Sequence, residues 1–218
     1  MTFCRNVAAL ALAFLLISVL SADALACACC AEPGTYYLRT AKADSYHLDL
    51  IRDISFAPKA SLYMTEAGFD NIKGIEAVKK EDEATAVAIS DSFDLTAGFH
   101  GRAWRFDITT PKGAKGSLTL PMPIQMVSYG ADIHDNEDEG LGPLLYKEFR
   151  FKGNVAAGTG FARSGVVRGT TYFLVFQGRG RGCDEVSNFR NWRLEIVGPR
   201  ANYAFYGTLS SAEKREAD

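Results

Sequence analysis

Period-two alternation of apolar and polar residues runs through most of the chain after residue 35. Trp104/Phe106/Ile108 alternate with Arg105/Asp107/Thr109, and Trp192/Leu194/Ile196 alternate with Arg193/Glu195. The same pattern marks Tyr36/Leu38, Tyr46/Leu48/Leu50 (with Arg39, His47 and Asp49 on the opposite faces), Val87/Ile89 and Phe93/Leu95/Ala97/Phe99. Alternation of this kind puts one face of a strand in a core and the other in water, as antiparallel sheets require. Leu118/Leu120, Ile124 to Tyr129, Phe149/Phe151 and Tyr203/Phe205 add further strands. Thr170 to Phe176 (TTYFLVF) is apolar on both faces and rich in β-branched and aromatic residues, which predicts a central strand covered on both sides.

Turn residues punctuate these runs at Glu32-Pro33-Gly34, Pro111-Lys112-Gly113 and Gly198-Pro199. The expected fold is all-β: an antiparallel, jelly-roll-like β-sandwich of about ten to twelve strands. Few or no helices are expected after the N-terminal segment, beyond short ones near Met64–Phe69 and within Asp184–Phe189.

The first residues read differently. Arg5 precedes an uncharged apolar core, Val7 to Leu20, and Ala24-Leu25-Ala26 matches a small-x-small cleavage site. The core is short for a membrane span. A lipoprotein signal acylated on Cys27 is the alternative, although Ala24 and Leu25 stand where such signals carry Leu and a small residue. The chain therefore divides into a secretory signal peptide (1–26), a cysteine-rich mature N-terminus (27–34), a single β-sandwich domain (35–209) and a charged tail (210–218). The product is expected to be secreted or periplasmic, or else lipid-anchored through Cys27. The formal charge of −2 gives no electrostatic case for nucleic acid, and no second apolar run is long enough to span a bilayer.

The candidate chemistry lies outside the alternating runs. Cys27, Cys29 and Cys30 crowd four positions, and Cys183 follows Arg179-Gly180-Arg181-Gly182. With Cys4 removed in the signal, four cysteines remain in an exported chain, an even count that points to disulfides. A bridge from the cluster to Cys183 would close a loop of about 150 residues, stabilising by roughly 4–5 kcal/mol through chain entropy. Thiolates at this density also suit Cu(I) or Zn. The acidic loop Asp132, His134, Asp135, Glu137, Asp138 is a candidate Ca²⁺ or transition-metal site, though read as an EF-hand from Asp135 it places Tyr146 where Glu is required. Met122 and Met126 share a strand face and read as core.

Signatures of common enzymes are absent: Met126 replaces the first Gly of a G-x-S-x-G around Ser128, and there is no H-E-x-x-H or Walker loop. A glycosidase carboxylate pair, which meets only in the fold, would be sought at Asp184-Glu185 beside Trp192 or at Asp107 beside Trp104. The expected function is an exported non-catalytic module that binds a ligand or serves as an envelope structural or interaction protein, with Cu or Zn capture by thiolates as its sharper form. The alternative is a secreted carbohydrate-active hydrolase. Small-molecule, glycan or protein partners are not distinguished by these features.

Overall fold

The computed structural model describes Gly34 and residues 36–63, 73–75, 93–134 and 143–210. Residues 1–33, with Cys27, Cys29 and Cys30, and Met64–Phe69, Val87/Ile89, residues 135–140 and 211–218 lie outside the described residues.

Among the described residues eleven strands form one antiparallel sheet: β1 (Tyr36–Lys42), β2 (Lys59–Tyr63), β3 (Phe93–His100), β4 (Ala103–Thr109), β5 (Lys115–Pro121), β6 (Gln125–Asp132), β7 (Leu145–Asn154), β8 (Ala157–Gly160), β9 (Thr171–Gly180), β10 (Phe189–Gly198) and β11 (Ala201–Thr208). Their order across the sheet is β1-β6-β7-β9-β10-β11-β2-β3-β4-β5-β8. Strand β2 is where the sheet turns back on itself. Its Ser61–Tyr63 pair with β11, whereas its Lys59 and Ala60 pair with β3. The halves on either side of β2 then face each other as the layers of a sandwich.

Alternation decides what fills the space between them. Trp104 and Phe106 of β4 meet residues of the opposite layer, with ring centroids 4.7 Å apart for Trp104–Phe151 and 5.5 Å for Phe106–Trp192. Phe56 sits between the layers against Phe106, Phe176 and Trp192. Both tryptophans are buried in this core, as are Met122 and Met126. Tilted and edge-to-face rings add to the stabilisation by burial, about 0.5–1.5 kcal/mol for each well-placed pair.

Three local expectations change. Tyr46/Leu48/Leu50 do not form a strand but lie in the α-helix α1 (Ser45–Asp53). Asp44 caps it by accepting from the His47 backbone N–H at 2.9 Å, and Leu50 and Ile51 are its buried positions. A short apolar run with period-two spacing also fits a helix when an N-cap precedes it and a second apolar set (Ala43, Leu50, Ile51, Ile54) recurs at three and four. In β1 the strand is present with its faces exchanged: Tyr36 and Leu38 stand in solvent, and Tyr37 points inward over Gly130 of β6, where a Cβ would collide with its ring. That glycine niche sets the register against the apolar pattern. Strand β9 is central as expected, between β7 and β10. On its outer face only Val175 is buried, flanked in register by Arg150 and Arg193, while Phe173 and Gln177 are half-buried. The short helix expected within Asp184–Phe189 is a single 3-10 turn, Val186–Asn188. No described helix is long and apolar enough to cross a membrane.

Candidate functional site

The densest polar structure lies at one end of the core and is built around a lysine. Lys147 of β7 shares the inward parity of Leu145, Phe149 and Phe151, and is 1% exposed. Its register neighbours are glycines on both sides, Gly130 of β6 and Gly178 of β9; the space a Cβ would take at them is filled by the Tyr37 ring and the Asn188 backbone. At Gly178 and Gly180 a Cβ would collide with Asn188, so the glycines of the GRGRG run let residues 181–188 fold back over the sheet.

That loop wraps the ammonium group. Lys147 Nζ donates to the carbonyls of Gly182 and Cys183, each at 2.8 Å, and to Asn188 Oδ1 at 3.1 Å, which uses its three donors. Asp184 Oδ1 lies 3.2 Å away as the counter-charge; the contact is an ion pair without hydrogen-bond alignment. Asn188 also receives the Glu185 backbone N–H at 3.1 Å and closes the 3-10 turn with it. From the other side, the Tyr46 hydroxyl of α1 donates to the Asp184 carbonyl. Burial, with the Asp184 charge nearby, pushes the Tyr37 hydroxyl up to about 12.

The start of the domain is tied to the same end. Asp132, at the end of β6, accepts from the backbone N–H of Gly34 at 2.6 Å and of His134 at 2.8 Å. The Gly34 bond is the larger cause holding the Asp132 carboxyl below its ordinary range, and the His134 bond adds to it. Because the folded-state value is depressed, this contribution to stability is complete above the ordinary carboxylate range, near pH 4, and is lost as pH falls through the folded-state value. Asp132→Asn should therefore lower the urea midpoint at neutral pH, and its gap from wild type should narrow steadily on acidification below about pH 4. A gap that does not depend on pH would remove the carboxylate from this account.

Other candidates separate. His134 is exposed and has a φ of 52°, and its Nδ1 is 4.0 Å from Asp132 Oδ2. No three His, Cys, Asp or Glu side chains gather for a metal among the described residues; Asp135, Glu137 and Asp138 lie outside them. Cys183 is the one cysteine among the described residues, with Cys27, Cys29 and Cys30 outside. His47 is on α1 instead of a strand, its Nδ1 2.6 Å from Asp44 Oδ1 and its ring against Phe149. Asp107 and Trp104 face opposite sides of β4, Asp107 being held outside by Arg105 at 2.8 Å. Trp192 is buried, and Asp184 and Glu185 are engaged in holding their own loop.

Two surface grooves escaped the alternation pattern because their residues come from several strands. One, of about 540 Å³, crosses β3, β4, β5 and β8 and contains Asp94, Thr96, Asp107 and Ser117. The other, of about 710 Å³, lies where the sheet bends at β2, between Lys59 and the β9–β11 surface. Compared with protein-family models, curated proteins and solved structures, the chain matches none.

Proposed function

We propose that this chain is an exported, non-catalytic β-sandwich module, serving as a ligand-binding or envelope interaction protein, with its cysteine-rich N-terminus stapled to the core through Cys183. Cys183 carries this reading. It is disulfide-bonded, and every other cysteine of the chain (Cys4, Cys27, Cys29 and Cys30) precedes Gly34. On this reading Cys4 is lost with the signal, and the proposed partner of Cys183 is one of the three clustered cysteines. The reach supports it: Cys30 is four residues from Gly34, an extended span of about 14 Å at most. Gly34 leads into β1, whose Tyr37 ring lies over Gly130, the register partner of Lys147, and Lys147 donates to the Cys183 carbonyl. The loop bearing Cys183 is held by the buried Lys147 clamp, as an anchor point requires.

One bridge to Cys183 leaves two sulfurs of the cluster. Paired, they complete a two-disulfide staple; reduced, they are ligands for Cu(I) or Zn. The test is mass analysis of the exported protein, alkylated with and without reduction, together with its metal content. The expected product starts at Cys27, and its reduction-sensitive peptide joins Cys183 to residues 27–30. Alkylation of Cys183 without reduction would overturn the staple, and an acyl mass on Cys27 would move the protein to the lipid-anchored class.

The hydrolase reading keeps one supporting observation. Asp94 and Asp107 share the groove of about 540 Å³ and stand diagonally across paired strands β3 and β4. Diagonal neighbours of this kind place both side chains on one face of the sheet, ~7–8 Å apart at the backbone. Each carboxylate is already engaged, Asp94 by Lys59 at 2.5 Å and Asp107 by Arg105 at 2.8 Å. The binding module therefore ranks first.

A further inference from the structure

We propose that the groove at the bend of the sheet is a saccharide site that takes a neutral oligosaccharide laid across β9, β10 and β11; this rests on the reading of the chain as a binding module. Register places Gln177, Asn191 and Thr208 side by side on three consecutive strands. Adjacent strands are ~4.8 Å apart, so two amides and a hydroxyl form a straight row along the groove. Amides donate and accept in one plane, the geometry that engages vicinal hydroxyl pairs of a pyranose. Beside this row Tyr206, 40% exposed, lines the groove and brings an aromatic ring for packing against the C–H face of a sugar.

Charge decides between neutral and acidic sugars. Lys59 and Arg193 line the groove, but Lys59 is bound to Asp94 at 2.5 Å and Arg193 to Glu195 at 2.9 Å. What the surface offers a ligand is therefore amide, hydroxyl and aromatic groups. No carboxylate is among the described residues lining the groove, which suits retention of a sugar and not its hydrolysis.

The test is calorimetric titration of the full exported chain with neutral glucose, mannose and galactose hexaoses, and with polygalacturonate as the acidic probe. Tyr206→Ala and Asn191→Ala are the groove variants, and Tyr36→Ala removes a more exposed tyrosine elsewhere. Urea midpoints check that all three fold. The expected result is saturable binding of at least one neutral hexaose, weakened about tenfold or more by each groove variant, a loss of ~1.4 kcal/mol, and unchanged in Tyr36→Ala. No neutral binding, binding indifferent to the groove variants, or binding confined to polygalacturonate would each overturn the assignment. If the sugars fail while Cys183 still maps to residues 27–30, the saccharide site falls and the stapled module stands.

Discussion

Lys147→Met should cost about 3–5 kcal/mol of folding stability, the amount typical of removing one partner from a buried ion pair. Methionine fills much of the space of the lysine stem, so the loss isolates the ammonium group. Without it the carbonyls of Gly182 and Cys183 and the amide oxygen of Asn188 lose their donor, and Asp184 becomes an uncompensated charge with a side chain 15% exposed. For a domain whose total stability is of order 5–15 kcal/mol, that loss is severe. Urea unfolding monitored at the tryptophans measures it. The double variant Lys147→Met/Asp184→Asn should recover part of the loss by removing the stranded carboxylate, whereas Arg150→Met, at a partly exposed pair on the outer face, should cost about 1 kcal/mol or less. A Lys147→Met protein within 1 kcal/mol of wild type would show that the loop holds itself without the clamp.

How legible this was from the sequence can be argued from Lys147 itself. It sits in Leu145–Phe151 at a position whose parity with Phe149 and Phe151 assigns it to the core, yet a lysine there breaks the alternation. The signals that resolve the conflict, Gly130 and Gly178 on the neighbouring strands and Asn188 across the loop, lie 17, 31 and 41 positions away along the chain. Periodicity reports one strand's faces and says nothing of pairing partners, so the strands of the sandwich were legible and the clamp was not. Tyr37 failed for the same reason, its inward turn being set by a glycine on β6. The helix α1 is a different case. Its Asp44 cap and its apolar spacing are local, and the alternating Tyr46/Leu48/Leu50 masked them. The grooves need three or more strands in register, information that no single segment holds. The cysteine cluster was visible at once, but its meaning depended on whether Cys183 was engaged.

On the proposed staple between Cys183 and residues 27–30, its reduction, or Cys183→Ser, should lower stability by about 5 kcal/mol, an upper value set by chain entropy for a closed loop of about 150 residues. Lys147, Asn188 and Tyr46 hold the loop around Cys183 through bonds that do not involve its sulfur, so the effect should arise in the unfolded ensemble. This gives a sharper test than the size of the loss. Lys147 donates to the Cys183 carbonyl, and substitutions at touching residues usually couple by 0.5–3 kcal/mol. If the disulfide acts on the unfolded chain and the lysine on the folded one, the two losses add: Lys147→Met should cost the same in oxidised and reduced protein to within about 0.5 kcal/mol. A markedly smaller cost in the reduced protein would mean that the bridge holds the loop on the lysine, making it part of the native clamp and not a tether for residues 27–30. Should the reduced Lys147→Met protein not fold at all, the same comparison with Asp132→Asn in place of Lys147→Met keeps the question answerable, because that bond also ties Gly34 to the core end but leaves the buried cation in place.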